Sequence, residues 1–381
     1  MIKKIIDYLS LRQAKGIELF FAVIPILSGY GFLGLPLQVI LWALLFLILF
    51  FKPKRQINIT NKPLILMVSF VLIHDFIYLF IANGNINAYI QQILMFGSIL
   101  LGIRVLDLEK LKGSLNFIAF LSIIGLLYQW SIIAAGGEVH PIQLPFLQMS
   151  ENRIDGLSIR PSSFFMEPAA YVAFMYIPLA FSLIEKKIIW TIVIILSDFL
   201  TTSTTGLLTS FIMLIIYVFT QRVSFKLRLL TIAIGSAMIF ALANVEAFQT
   251  GVNKLEDTDV ETNMRLSQGP YVVSTMKPVE MIAGAAYHNA YDYCSDGRAP
   301  MVVFYKDEVY MSTVWMVILK YGFIGLLLYL AFYFNVARLN RETIPLVVCL
   351  GAVMFSSGYG FGGTFVYTSI PLLLMAIRKD I

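Results

Sequence analysis

Charge is what this sequence has least of. Asp, Glu, Lys and Arg make up 13% of its 381 residues, while apolar types make up 59%. A soluble domain of that length cannot hide so much apolar surface, so the composition points to a polytopic membrane protein. Cysteine is nearly absent. Cys294 and Cys349 fall in a polar loop and an apolar run, a poor disulfide pair and no metal cluster. There is no GxxxxGKS/T, no HExxH, no CxxC, and no GxSxG in a usable context, so ATP use, zinc chemistry and a serine triad lack support. Internal repeats and low-complexity tracts are missing too. The net charge of +5 does not indicate nucleic-acid binding, because most Lys and Arg sit in short loops beside apolar runs. Lys3 and Lys4 precede an apolar stretch with no small-residue cleavage site, which predicts an uncleaved first helix.

What is present is a series of apolar runs from residue 17 to residue 377. At roughly 20 residues per crossing they give about twelve spans in a single membrane domain covering 1–381. The spans are expected near 16–33, 35–51, 63–82, 88–104, 113–134, 164–184, 188–202, 204–220, 229–245, 312–335, 343–357 and 362–377. With the N-terminus inside, 20 of the 28 Lys and Arg residues fall in inner loops, among them Lys52, Lys110, Lys186, Arg222, Arg338 and Lys379. Both termini are therefore expected in the cytoplasm. Two outer loops follow, 135–163 and 246–311, the second carrying ten acidic and five basic residues. A polar loop that long between membrane helices is either functional or a folded cap.

The richest stretch is Ile159–Ser182, where Arg160 and Glu167 stand just ahead of a long apolar run. Pro168 favours the first helical turn and pushes Glu167 out of the helical region. A helix N-terminus with an arginine nearby suits a phosphate or diphosphate. The same residues also fit an interfacial salt pair that merely orients a helix. Asp198, Thr201, Thr202, Ser203, Thr204, Thr205 and Gly206 form a polar turn, which reads either as helix capping or as sugar and phosphate contacts. Asp198 lies on an apolar run and needs a partner or a cavity. His74 and Asp75 are neighbours inside the third span, so at least one of them is expected to point into the bundle, as a site or as a structural contact. In the large loop, Arg265, Lys277 and Arg298 are candidate phosphate ligands and His288 a candidate proton carrier, against the plainer reading of a solvated loop. Gly358, Gly360, Gly362 and Gly363 bridge the last hairpin and read as close helix packing.

Three of these pieces resemble the bacterial O-antigen polymerases, the Wzy group of the O-antigen polymerase and ligase superfamily. RPSSFFMEPAAYVA is similar to that family's arginine, small residue, aromatic and Glu-Pro ahead of a helix. Arg160, Phe165, Glu167 and Pro168 match, and Ser163 stands where a glycine is usual. SDFLTTSTTGLL is similar to its Ser/Thr-rich turn followed by Gly-Leu-Leu. The late loop, with Met264-Arg265, Pro278, Gly284 and then KYGFIGLLLYL, is similar to the family's third pattern. Ligase-type members place a histidine shortly before that helix; here Tyr310-Met311-Ser312-Thr313 stands there, and His288-Asn289 comes earlier, which favours a polymerase over a ligase.

The resemblance implies an all-α, GT-C-like membrane protein of the bacterial inner membrane that needs no cofactor and no metal. It would join undecaprenyl-diphosphate-linked repeat units of O-antigen, capsule or exopolysaccharide at the periplasmic face. Arg160 and Arg265 would hold the diphosphate, with Glu167 or His288 as the base. Asp198, Ser203 and Arg298 would be further substrate contacts. Its partners would be the lipid-linked donor and acceptor, membrane lipids, a chain-length regulator and a flippase, with no nucleic acid. The rival readings are a non-enzymatic flippase for the same lipid-linked glycan, an O-antigen ligase, and an O-acetyltransferase, for which His74 alone is too little.

Overall fold

A computed structural model describes residues 2–32, 35–53, 61–81, 85–149, 160–220, 229, 233, 264–285, 287, 290–299, 311–356 and 362–377. Within these the chain is almost entirely helical. The first half holds α1 (Ile2–Tyr8), α2 (Gly16–Leu27), α3 (Leu37–Phe51), α4 (Lys62–Ile81), α5 (Ile86–Val105) and α6 (Leu108–Ala134). Then come α7 (Pro168–Ile184), α8 (Ile188–Leu200) and α9 (Thr204–Thr220). The second half holds α10 (Met264–Ser274), α11 (Pro278–Ala283), α12 (Ala290–Ser295), α13 (Thr313–Leu339), α14 (Ile344–Ser356) and α15 (Gly363–Ile377). Helices thus occupy eleven of the twelve expected positions, and the remaining one, 229–245, lies almost wholly outside the described residues. The loop expected over 246–311 is partly helical, through α10, α11 and α12.

Four helices, α4, α5, α6 and α13, are long and apolar enough to cross a membrane. Their outward faces are also apolar: Leu66, Ile73 and Phe80 on α4, Leu127 on α6 and Phe334 on α13 are each more than half exposed. Such belts are out of place in water and natural against lipid. The fold is that of an all-α membrane protein.

Two helices are buried all round and form the centre. Every residue of α7 from Tyr171 to Leu183 is buried, as is α15 from Phe365 to Ala376. They are joined by Tyr367, whose hydroxyl donates to the Phe174 carbonyl at 2.9 Å and whose ring stacks between Phe21 and Phe174. Local signals set the helix starts. Asn85 caps α5 through the Asn87 and Ala88 amides, and Asp107 caps α6 through those of Glu109 and Lys110. Near the start of α6, Lys112 is buried, and each of Glu109 and Glu185 takes a 2.8 Å hydrogen bond from it. A buried ammonium needs this sort of compensation.

A three-stranded sheet of minimal length ties the α2–α3 loop to the segment after α6. Tyr30–Phe32 lies between Leu35–Pro36 and Gln148–Met149, antiparallel to both, with Tyr30 opposite Met149 and Gly31 opposite Pro36.

The most unusual backbone is in α13. Gly322 has φ 63° and ψ −170°, so 313–321 and 323–339 are two helical pieces meeting at a break. The segment after α11 docks into it. Gly284, at φ 96°, is so close that an added Cβ would overlap the Lys320 carbonyl, and a Cβ on Gly322 would overlap the Ile282 carbonyl. The Ala285 amide donates to the Leu319 carbonyl at 2.7 Å, satisfying an acceptor in the turn that the break loosens. Both glycines are required here by conformation and by space. Gly322→Ala should therefore destabilise the purified protein by at least the ~1–2 kcal/mol of a positive-φ Cβ, read as a lowered melting temperature in detergent; Gly351→Ala in α14, where an added Cβ meets nothing within 4 Å, is the comparison.

Candidate functional site

The segment from Arg160 to Glu167 is held from below by α6. Gln129 of α6 is buried; its Oε1 accepts from the Ser162 and Ser163 amides at 3.0 and 2.7 Å, and its Nε2 donates to the His140 carbonyl at 2.7 Å. The Ser162 hydroxyl donates to the Phe165 carbonyl at 2.8 Å, closing a turn that drops Phe165 into the core against Tyr171 and Phe174. Ser163 sits at φ 57°, the left-handed region that glycine favours. The glycine usual at this position in the resembled pattern thus has a backbone reason.

This turn leaves Arg160 exposed, with its Nη1 3.4 Å from the Thr202 carbonyl in the α8–α9 turn. Glu167 is the N-cap residue of α7, extended at φ −147°, and its carbonyl accepts from the Ala170 and Tyr171 amides. Its side chain is half-buried and does not cap the helix. The structure therefore brings Arg160 to the polar turn and sets Glu167 at the start of the central helix.

The polar turn largely follows the capping reading. Thr201 Oγ1 donates to the Asp198 carbonyl at 2.6 Å, and Ser203 Oγ accepts from the Gly206 amide at 3.3 Å, capping α9. Asp198 is fully buried one turn below, where Ser210 Oγ donates to its Oδ2 at 2.5 Å. Asp198 and Ser203 thus act inside the packing, away from a ligand-accessible surface.

Beside the first turn of α7 opens a cleft lined by Ser28, Gln38, Trp42, Ala170, Phe174 and Tyr367, among others. Trp42 is 1% exposed, and its indole Nε1 has no hydrogen-bond partner among the described residues. A buried indole N–H normally has one. The cleft thus offers the Trp42 indole N–H and the Gln38 amide as polar groups beside the first turn of α7.

The late loop is divided. Arg298 is committed within it: Nη2 donates to both Glu280 carboxylate oxygens at 2.7 Å, and the guanidinium lies 5.2 Å from the Tyr293 ring centroid. It stabilises the cap, and a substrate would have to compete with Glu280 for it. Arg265 lies on α10, which packs against α13, but its side chain lies outside what is described. His288 lies outside the described residues.

The structure adds Tyr78, Tyr89, Gln92 and Lys320, which the spacing did not single out; they line a second pocket with His74 and Asp75, both of which point into it. The available signal was a lysine inside an apolar run, which warranted the same attention as His74. Comparison with protein-family models and with curated proteins gives no match.

Two outcomes follow from this geometry. Ser163→Gly relieves a left-handed side chain and should raise thermal stability by about 1 kcal/mol, measured by melting in detergent; a loss would show that the Ser163 side chain matters more than its backbone. Burial pushes the Glu280 carboxyl up, but hydrogen bonds from Arg298 and the Lys277 amide outweigh it, so its pKa is lowered. The pair therefore adds stability above the ordinary value of 4.5 and loses it as pH falls through the lowered folded value. Residues 277–299 should resist proteolysis near neutral pH and become cleavable at strongly acid pH, while Arg298→Ala should be cleavable at both.

Proposed function

We propose that this chain is a polysaccharide polymerase acting on lipid-linked repeat units. It would transfer a growing glycan from undecaprenyl diphosphate to the terminal sugar of another lipid-linked unit. In this reading it crosses the bacterial inner membrane about twelve times in a GT-C-like fold, with both ends in the cytoplasm. The observation that carries the reading is the Arg160 contact with Thr202 at 3.4 Å, by which two separate patterns of the resemblance, 42 residues apart, come together at the head of the central helix. The cleft beside Ala170, with the Gln38 amide and the unspent Trp42 donor, supports a hydroxyl-bearing occupant such as a glycan.

The chemistry asks for two things. A diphosphate leaving group must be neutralised and an acceptor hydroxyl must lose a proton. The acceptor oxygen bonds to the donor's anomeric carbon as the bond from that carbon to the diphosphate oxygen breaks. The hydroxyl proton passes to Glu167, with His288 the other base that the resemblance offers. Arg160 and Arg265 hold the charge of the departing diphosphate, as planar guanidinium groups do well.

The test is glycan banding in a strain lacking the gene, complemented with wild type, Arg160→Ala or Arg265→Ala at matched expression. A ladder collapsing to one repeat unit in the null, with polymer reduced about 100-fold in each variant, is the expected result. A null with no repeat units at the surface would replace this reading with a flippase or a ligase. Full ladders from both variants would remove the arginines from the site.

A further inference from the structure

A polymerase joining two lipid-linked glycans must hold two diphosphates, and Arg160 belongs to one place only. The second pocket lies between α4, the start of α5, Lys320 at the break of α13 and Tyr287, and shares no lining residue with the cleft beside α7. We propose that it binds the diphosphate of a second polyprenyl-linked glycan, with Lys320 as the charged ligand. The inference rests on the polymerase reading for the source of that diphosphate, though not for the anion chemistry.

The break at Gly322 ends the first piece of α13 just past Lys320, and Lys320 lines the pocket. Its ammonium stands 5.5 Å from the Tyr321 ring centroid, and no hydrogen bond or ion pair to it occurs among the described residues. The one carboxylate lining the pocket, Asp75, is occupied. Its Oδ1 lies 3.3 Å from His74 Nδ1, and its Oδ2 accepts from the Tyr321 hydroxyl at 3.2 Å. His74 Nε2 faces the Ala283 carbonyl at 2.9 Å. Asp75 thus spends both its oxygens on other side chains, and Lys320 is left without a direct hydrogen bond or ion pair among the described residues, as an ionisable group among membrane helices rarely is unless it serves a ligand.

The remaining walls suit a phosphate. The Tyr89 hydroxyl supplies a further donor beside the ammonium, and the Gln92 amide has a second N–H beyond the one it gives to Tyr321, whereas the Tyr78 hydroxyl is spent on the Gly284 carbonyl at 3.4 Å. Gln92 Nε2 donates to the Tyr321 hydroxyl at 2.8 Å, while its Oε1 is buried and has no partner among the described residues. On the expected topology the pocket opens on the outer side, where Lys62 marks the inner end of α4 and Tyr78 lies near the other end.

The test uses the full chain in phosphatidylcholine nanodiscs. Undecaprenyl diphosphate is the probe, with phosphatidylglycerol and inorganic pyrophosphate as competitors. Wild type should bind two equivalents, and Lys320→Gln should weaken one of them about tenfold or more while Lys320→Arg keeps both. The unaltered chain provides a second readout that does not depend on the folding of Lys320→Gln: undecaprenyl diphosphate should protect Lys320 from amine acylation. Absence of protection, or two full-strength sites in a folded Lys320→Gln protein, overturns the proposal. Equal protection by phosphatidylglycerol overturns it in favour of a general lipid-headgroup site, and protection by pyrophosphate alone in favour of a free-anion site. None of these outcomes touches the glycan ladder of the null strain, so the pocket and the polymerase reading fail separately.

Discussion

A broken helix at membrane depth has to find partners for the backbone groups it frees, and that constraint shapes the second half of this chain. The solution is contact of backbone with backbone. The Ile282–Ala285 stretch enters the break of α13, and only two glycines, Gly284 and Gly322, allow the approach. The Ala285 amide then serves the Leu319 carbonyl, while His74 reaches from α4 to the Ala283 carbonyl. One contact thus fixes the late loop, the third expected span and the two residues Lys320 and Tyr321 relative to one another.

The first half is organised by burial instead. α7 is buried nearly all round, so it stands in the middle, and the Arg160–Glu167 turn leads into its N-terminal end. That turn has no regular structure to hold it. Gln129, a buried amide on α6, does the holding through two backbone amides, and Phe165 anchors it from within. A left-handed Ser163 lies between them. Position, rather than any unusual residue, is what makes Arg160 and Glu167 a candidate pair.

Two buried or half-buried lysines show how the chain treats charge. Lys112 sits against Glu109 and Glu185, with the Phe181 ring 5.8 Å away, and its charge is fully answered. Lys320 has no comparable partner among the described residues, although Asp75 stands in the same pocket, because Asp75 is taken by His74 and Tyr321. The first pattern is structural, whereas the second leaves room for an anion.

Composition and the spacing of apolar runs were enough to indicate an all-α membrane protein and to locate eleven helices, because helix-forming apolar stretches bounded by Pro, Asn and Asp are local features. The turn at Arg160 and the capping role of Ser203 were legible for the same reason. Long-range choices were not. Nothing in the order of residues says that Asp198 turns inward to Ser210, that Arg298 is taken by Glu280, or that adjacent His74 and Asp75 reach one pocket with Lys320. Those pairings span up to 246 residues, as between Tyr321 and Asp75. They depend on which helices lie side by side, and that is decided by packing and by the need to satisfy every buried polar group at once.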